Sequence, residues 1–305
     1  MIRQPTAIDI GLLVALALIW GSAFTAIEVA IAGVSPLQLT TARAAIGCVV
    51  LLPFALAGRD WATAIVRNFR LITAIALLNV VLPFWLIASA QATITAGATS
   101  LLMGVGPLLS LIVAHVTSSD DRITVRKVLA VLLGGTGVVL VTLGDVGAKE
   151  EGRLLASAAV MAASACYVAS GALARRITGV SSIVLSTMVL AVSAVALAPI
   201  VLLVDGVAVA GATWDTLLAL VYLGAVPTGF AYLLRYHLIR TVGLSRFSIG
   251  MNLVPVSGVL LGAMVLGEQI TAVMLSALLL VVSSLYLATT TSRVQVPPPP
   301  TTKGP

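Results

Sequence analysis

The sequence predicts an all-α polytopic membrane protein: ten transmembrane helices in two inverted five-helix repeats, with both termini cytoplasmic. Three observations carry this reading: the composition, the placement of lysine and arginine, and the spacing of proline. Of 305 residues, 60% are hydrophobic and only 9% are charged, and the mean hydropathy is +1.14. A soluble domain carries about a quarter charged residues, so this chain needs lipid as its solvent.

Runs of about 20 apolar residues are the spanning unit. They read here as 8–31, 36–57, 69–90, 94–116, 126–144, 154–174, 183–204, 214–234, 245–266 and 270–289. The linkers are short and leave no room for a separate soluble domain. The first run is longer than the apolar core of a signal peptide and no small-residue cleavage site follows it, so it is expected to remain as a span.

Basic residues orient the spans, because cytoplasmic loops are enriched in them. With the N-terminus inside, Arg3, Arg59, Arg67, Arg70, Arg122, Arg126, Lys127, Arg175, Arg176, Arg235, Arg240, Arg246, Arg293 and Lys303 fall on the cytoplasmic side. Only Lys149 and Arg153 fall on the other, and Arg43 lies within a span. A missed helix would scramble this asymmetry, so it also checks the number of spans. The net charge of +6 is therefore topological. A nucleic-acid footprint would gather basic residues on one soluble face, and none exists, so no nucleic-acid partner is expected.

The prolines reveal a duplication. Pro199 follows Pro53 by 146 positions, Pro227 follows Pro83 by 144, and Pro255 follows Pro107 by 148. The dipeptide Ile-Thr recurs at 123–124 and 270–271. Residues 1–147 and 148–292 thus read as two copies of five helices, and 293–305, rich in proline, as a disordered cytoplasmic tail. An odd number of crossings inverts the second copy. Broken helices at matching places in inverted repeats are a recurrent architecture of secondary transporters, and Pro83, Pro107, Pro227 and Pro255 are the expected hinges.

This layout resembles the drug/metabolite transporter superfamily, EamA branch. The resemblance rests on "IWGSAF" (19–24), "SPLQLTTAR" (35–43), "GPLLSLIVA" (106–114) and "VPVSGVLLGAMVLGEQIT" (254–271), and it covers nearly the whole chain. Two departures stand out: "SSDDRIT" (118–124) in place of the usual Glu after helix 4, and Tyr167 where tryptophan is common. The resemblance implies export of amino acids and related metabolites across the inner (plasma) membrane. Among subgroups, the YddG-type exporters of aromatic and neutral amino acids are the nearest.

An amino-acid substrate offers an ammonium, a carboxylate and a side chain. A proline removes the helical bond to the carbonyl four residues earlier, which frees carbonyls at Asn79 and Met103 for an ammonium. A stripe of Thr95, Thr99, Met103, Gly106 and Ser110 in helix 4 and one of Ser245, Ser248, Asn252 and Pro255 in helix 9 are expected to line the cavity, although small and hydroxyl residues also serve helix packing. Aromatic residues make up only 5% of the chain. Those at mid-span, Trp20, Phe24, Phe84, Trp85 and Tyr167, are expected as cavity walls, while Trp61 and Trp214 read as interfacial anchors.

Charged groups inside a span are costly and point to function. Glu28 and Arg43 are therefore expected to form an ion pair or outer gate, the bland alternative being that Glu28 reaches water and Arg43 snorkels. His115, at the inner end of helix 4, is the candidate for a coupling proton, against the reading of a solvated interface histidine.

Neither HExxH nor a Gly-x-Ser-x-Gly elbow is present, so no enzyme is expected. The absence of a P-loop argues against ATP as energy source, and no filter-like segment supports a channel. Cys48 and Cys166 match no metal or redox spacing, so neither metal nor cofactor is expected. The expected partners are a small-molecule substrate and the lipid bilayer. Ten helices supply enough packing partners for a monomer. Carriers of sugar phosphates, nucleotide sugars or drugs share the same sequence features and remain the alternatives.

Overall fold

The computed structural model describes residues 5–58, 61–106, 108–109, 125–144, 152–206, 212–243, 247 and 250–290. All regular structure among them is helical. The first repeat comprises α1 (Ala7–Ile31), α2 (Pro36–Leu56), α3 (Trp61–Ala76) continued through a π-helical segment (Leu77–Val81) into α4 (Leu82–Gln91), α5 (Ala96–Met103) and α6 (Val125–Leu143). The second comprises α7 (Arg153–Ala174), α8 (Ser182–Val204), α9 (Trp214–Leu223) continued through a π-helical segment (Gly224–Phe230) into α10 (Ala231–Val242), α11 (Leu253–Leu266) and α12 (Ala272–Thr290).

Lipid offers no hydrogen bonds, so each helix must satisfy its own termini. The sequence supplies the caps. Thr6 and Asp9 form a capping box before α1, as do Ser35 and Gln38 before α2, where Pro36 takes the first position. Thr95, Ser181 and Thr213 cap α5, α8 and α9 through their hydroxyls. The third span starts at Trp61 and the eighth runs on to Val242, further than apolarity alone foretells.

The packing obeys a two-fold exchange of repeats. α1 packs on α11 and on α9–α10, and correspondingly α7 packs on α5 and on α3–α4. The pairs α2–α8, α5–α11 and α6–α12 sit on the exchange axis. Direction follows from close contacts. Gly97 stands against Val259 and Glu268, Ser100 against Gly258, and Gly104 against Pro255. Numbers rise on α5 as they fall on α11, so the fourth and ninth spans run antiparallel. The same holds for α6 and α12, where Gly134 meets Ser284, Gly137 meets Val281 and Gly144 meets Val273. The copies are therefore inverted.

One contact shows why glycine is required. A Cβ on Gly21 of α1 would lie 2.0 Å from Ser257 Oγ and 2.9 Å from the Gly258 backbone nitrogen. That approach lets Ser257 Oγ donate to the Ala17 carbonyl at 2.9 Å.

Candidate functional site

The two π-helical segments mark the site. A π turn carries one extra residue per turn and tends to sit at functional positions. The first ends just before Pro83 and the second contains Pro227, so the proline pair found in the sequence coincides with the pair of widened turns. Pro227 has no N–H for the Leu223 carbonyl. The Thr228 hydroxyl donates to it instead, at 2.8 Å. The same Thr228 oxygen accepts from Arg43 Nε at 2.8 Å. Close packing makes this reach work: a Cβ on Gly224 would lie 2.4 Å from Ile46 Cβ, so the π turn lies directly on α2.

Arg43 is 8% exposed, and its guanidinium carbon stands 3.9 Å from the centre of the Phe84 ring. Among the described residues, the titratable side chains near enough to act on its charge are the phenols Tyr167 and Tyr232. From Tyr232 a polar chain continues: Asn79 Nδ2 donates to the Tyr232 hydroxyl at 3.3 Å, and Ser170 Oγ donates to Asn79 Oδ1 at 3.1 Å. Asn79, Tyr167 and Tyr232 are each half-buried, although they belong to different repeats and meet across the bundle. Trp20 closes one side, donating from Nε1 to the Pro227 carbonyl at 3.1 Å and standing edge-on to Phe247.

The structure separates the expected ion pair. Glu28 Oε2 accepts from the Ala96 backbone N–H at 3.0 Å, while Arg43 is held by Thr228 and Phe84. No ion pair links Glu28 and Arg43 among the described residues. A charge several residues along a neighbouring helix was the natural partner in one dimension, but α2 turns Arg43 toward the second repeat.

Among the remaining expected site residues, Phe24 is buried, with its carbonyl accepting from Gln91 Nε2 at 2.9 Å. Phe84 is buried beneath Arg43. Met103 is half-buried and its sulfur accepts from Ser164 Oγ at 3.4 Å. Two expectations fail on burial. Thr99 is 0% exposed and bonds only its own helix, at the Thr95 carbonyl; Trp85 is 43% exposed and borders an outer groove with Ser35, Pro36 and Asp205. Asn252 is half-buried at the turn that interrupts the ninth span. Pro255 sits in the first turn of α11, where its missing N–H costs nothing, so the break lies at Asn252. Its counterpart is the turn at Gly104 and Val105 that ends α5. Pro107, His115 and Ser248 lie outside the described residues.

Sequence reasoning did not pick out Thr228, Ser170 and Glu268 as site residues. Thr228 had a readable signal, a hydroxyl directly after a mid-span proline. Glu268 Oε1 accepts from Ala96 N–H at 2.7 Å and Oε2 from Gly97 N–H at 3.0 Å, so it shares the N-terminus of α5 with Glu28. Carboxylates are favoured there by the helix dipole. Burial is the main cause raising the Glu268 carboxyl above its ordinary range.

A multi-pass helical membrane protein with an internal five-helix duplication and paired broken helices is thus defined by its own contacts. The chain belongs to the EamA-like transporter family, which it matches at residues 8–143 and again at 154–290. It is similar to the uncharacterized transporter YoaV of Bacillus subtilis, 21% identical over 280 residues that span 92% of this chain and 96% of that protein. An uncharacterized transporter of Archaeoglobus fulgidus is 24% identical over 270 residues, spanning 88% and 94% respectively. A protein known from its crystal structure shares the fold, with a TM-score of 0.67, 20% identity, and coverage of 95% of this chain and 99% of the other.

Proposed function

We propose that the protein is a secondary transporter of the inner membrane that exports small metabolites, foremost amino acids with neutral or aromatic side chains, by alternating access. The observation that carries this reading is the pair of π-helical breaks, at Leu77–Val81 and Gly224–Phe230, placed at equivalent points of inverted repeats. Each break widens one repeat where it meets the other. Exchanging which repeat is straighter would open the shared interior to one side and then the other. The cytoplasmic placement of both termini belongs to the same reading and rests on the basic-residue asymmetry.

The interior side chains suit a small zwitterion. Phenols, an amide, hydroxyls and one guanidinium surround a site with aromatic walls, a composition typical of small-molecule sites. Family membership and relatives named as transporters support carriage rather than catalysis. Counterflow in proteoliposomes with a panel of labelled amino acids, with and without a pH gradient, tests the reading. Saturable exchange of at least one amino acid is expected. Exchange of sugar phosphates or cationic drugs alone would move the substrate class, and exchange of nothing would overturn the reading.

A further inference from the structure

Arg43 is a buried cation without a counter-ion among the described residues. Its Nε–H is spent on Thr228 and its face on Phe84. Among the described residues the two terminal nitrogens, which carry four of the five guanidinium N–H donors, have no partner. Two acidic side chains are committed elsewhere. Glu28 is at the α5 N-terminus, and Asp205 accepts from the Ser35 hydroxyl. A buried charge is retained only where it is paired or where it pairs in use.

The shape of the unused edge specifies what would pair with it. Two parallel N–H groups of a guanidinium match the two oxygens of a carboxylate. Tyr167 and Tyr232, both half-buried, are near enough to Arg43 to act on its charge, and the Tyr232 hydroxyl accepts from the amide of Asn79. We propose that Arg43 is the substrate-carboxylate receptor of this transporter, that Phe84 and Thr228 hold its guanidinium in position, and that the carried solutes are therefore small carboxylates. This inference rests on the transport reading and narrows it. Solutes with a free carboxylate are taken, and their carboxamides are refused, because an amide brings neutral oxygen and an N–H that faces N–H. The same site excludes organic cations as principal substrates.

The test uses full-length protein in proteoliposomes and compares each transported amino acid with its carboxamide as a competitor. The wild type is expected to prefer the acid by at least 30-fold. Arg43→Gln is expected to raise the KM for the acid by at least 30-fold and to bring the acid and the amide within threefold of each other. Arg43→Lys, which keeps the charge and loses the fork, is expected to fall between. The loss of discrimination is the decisive readout, because a merely misfolded or slowed carrier would lose rate and keep its preference. Size-exclusion profiles and melting temperatures check that the variants fold. An acid-to-amide ratio unchanged by Arg43→Gln overturns the inference while leaving transport intact. Transport restricted to solutes without a carboxylate does the same. No transport of any solute overturns both.

Discussion

Glu28 of the first repeat and Glu268 of the second accept hydrogen bonds from one and the same backbone N–H, that of Ala96, at 3.0 and 2.7 Å. Glu268 also holds Gly97 N–H at 3.0 Å, and Thr95 takes Ala98 N–H at 3.2 Å. The first turn of α5 is thereby capped from α1, from its own N-cap and from the loop after α11. The residues that finish this helix start lie in both halves of the chain.

The two acids carry unequal loads. Glu268→Ala leaves Gly97 N–H without its acceptor and should cost about 1–2 kcal/mol, the scale of a lost helix cap. Glu28→Ala leaves Ala96 N–H still bonded to Glu268 and should cost less than half of that. Melting temperatures of the purified variants in one detergent check the order.

Glu268 should also make stability depend on pH. Burial comes first among the causes that raise its carboxyl above the ordinary 4.5, against the opposing bonds from Gly97, Ala96 and Thr95. Glu28 faces it across the shared N–H. A carboxyl that binds its proton more tightly in the folded than in the unfolded state contributes stability that is present in acid and lost as pH rises through the folded value. The melting temperature should therefore fall as pH is raised from 4.5 upward, and Glu268→Gln should flatten that part of the profile.

Thr228→Val keeps the shape of the side chain and deletes its hydroxyl. The Leu223 carbonyl then loses its hydroxyl donor, and Arg43 Nε loses its acceptor. A buried polar group left unpaired costs about 1–3 kcal/mol. Thr228→Ser restores both bonds and should stay near wild type in thermal unfolding.

Gly21→Leu should be far worse than Gly11→Leu. The first drives a side chain into Ser257 and the Gly258 backbone, while nothing lies within 4 Å of a Cβ at Gly11. Overpacking of this kind costs about 1–3 kcal/mol, and the contrast should show directly in melting temperature and yield.

The fold was legible because lipid writes it in coarse symbols. Apolar runs gave the spans, and the nearly equal offsets of Pro53, Pro83 and Pro107 from Pro199, Pro227 and Pro255 exposed the repeat that the antiparallel contacts of Gly97, Ser100 and Gly104 display. The site was legible only in part. That Arg43 and Glu28 are unusual can be read from their place in a span, but which way each points depends on the rotation of its helix, and a low-contrast apolar surface does not encode rotation. Thr99 and Met103 illustrate the limit. They share a stripe at helical spacing, yet one is sealed against its own helix and the other opens toward Ser164.

The Thr228 oxygen has a final implication. It is at once a donor to the Leu223 carbonyl and the ledge on which Arg43 rests. Were the wide turn at Gly224–Phe230 to tighten into regular α pairing, that oxygen would swing away and the guanidinium would lose its perch. Backbone shape and electrostatic potential at this spot are thus geared together, so that neither can shift without dragging the other along.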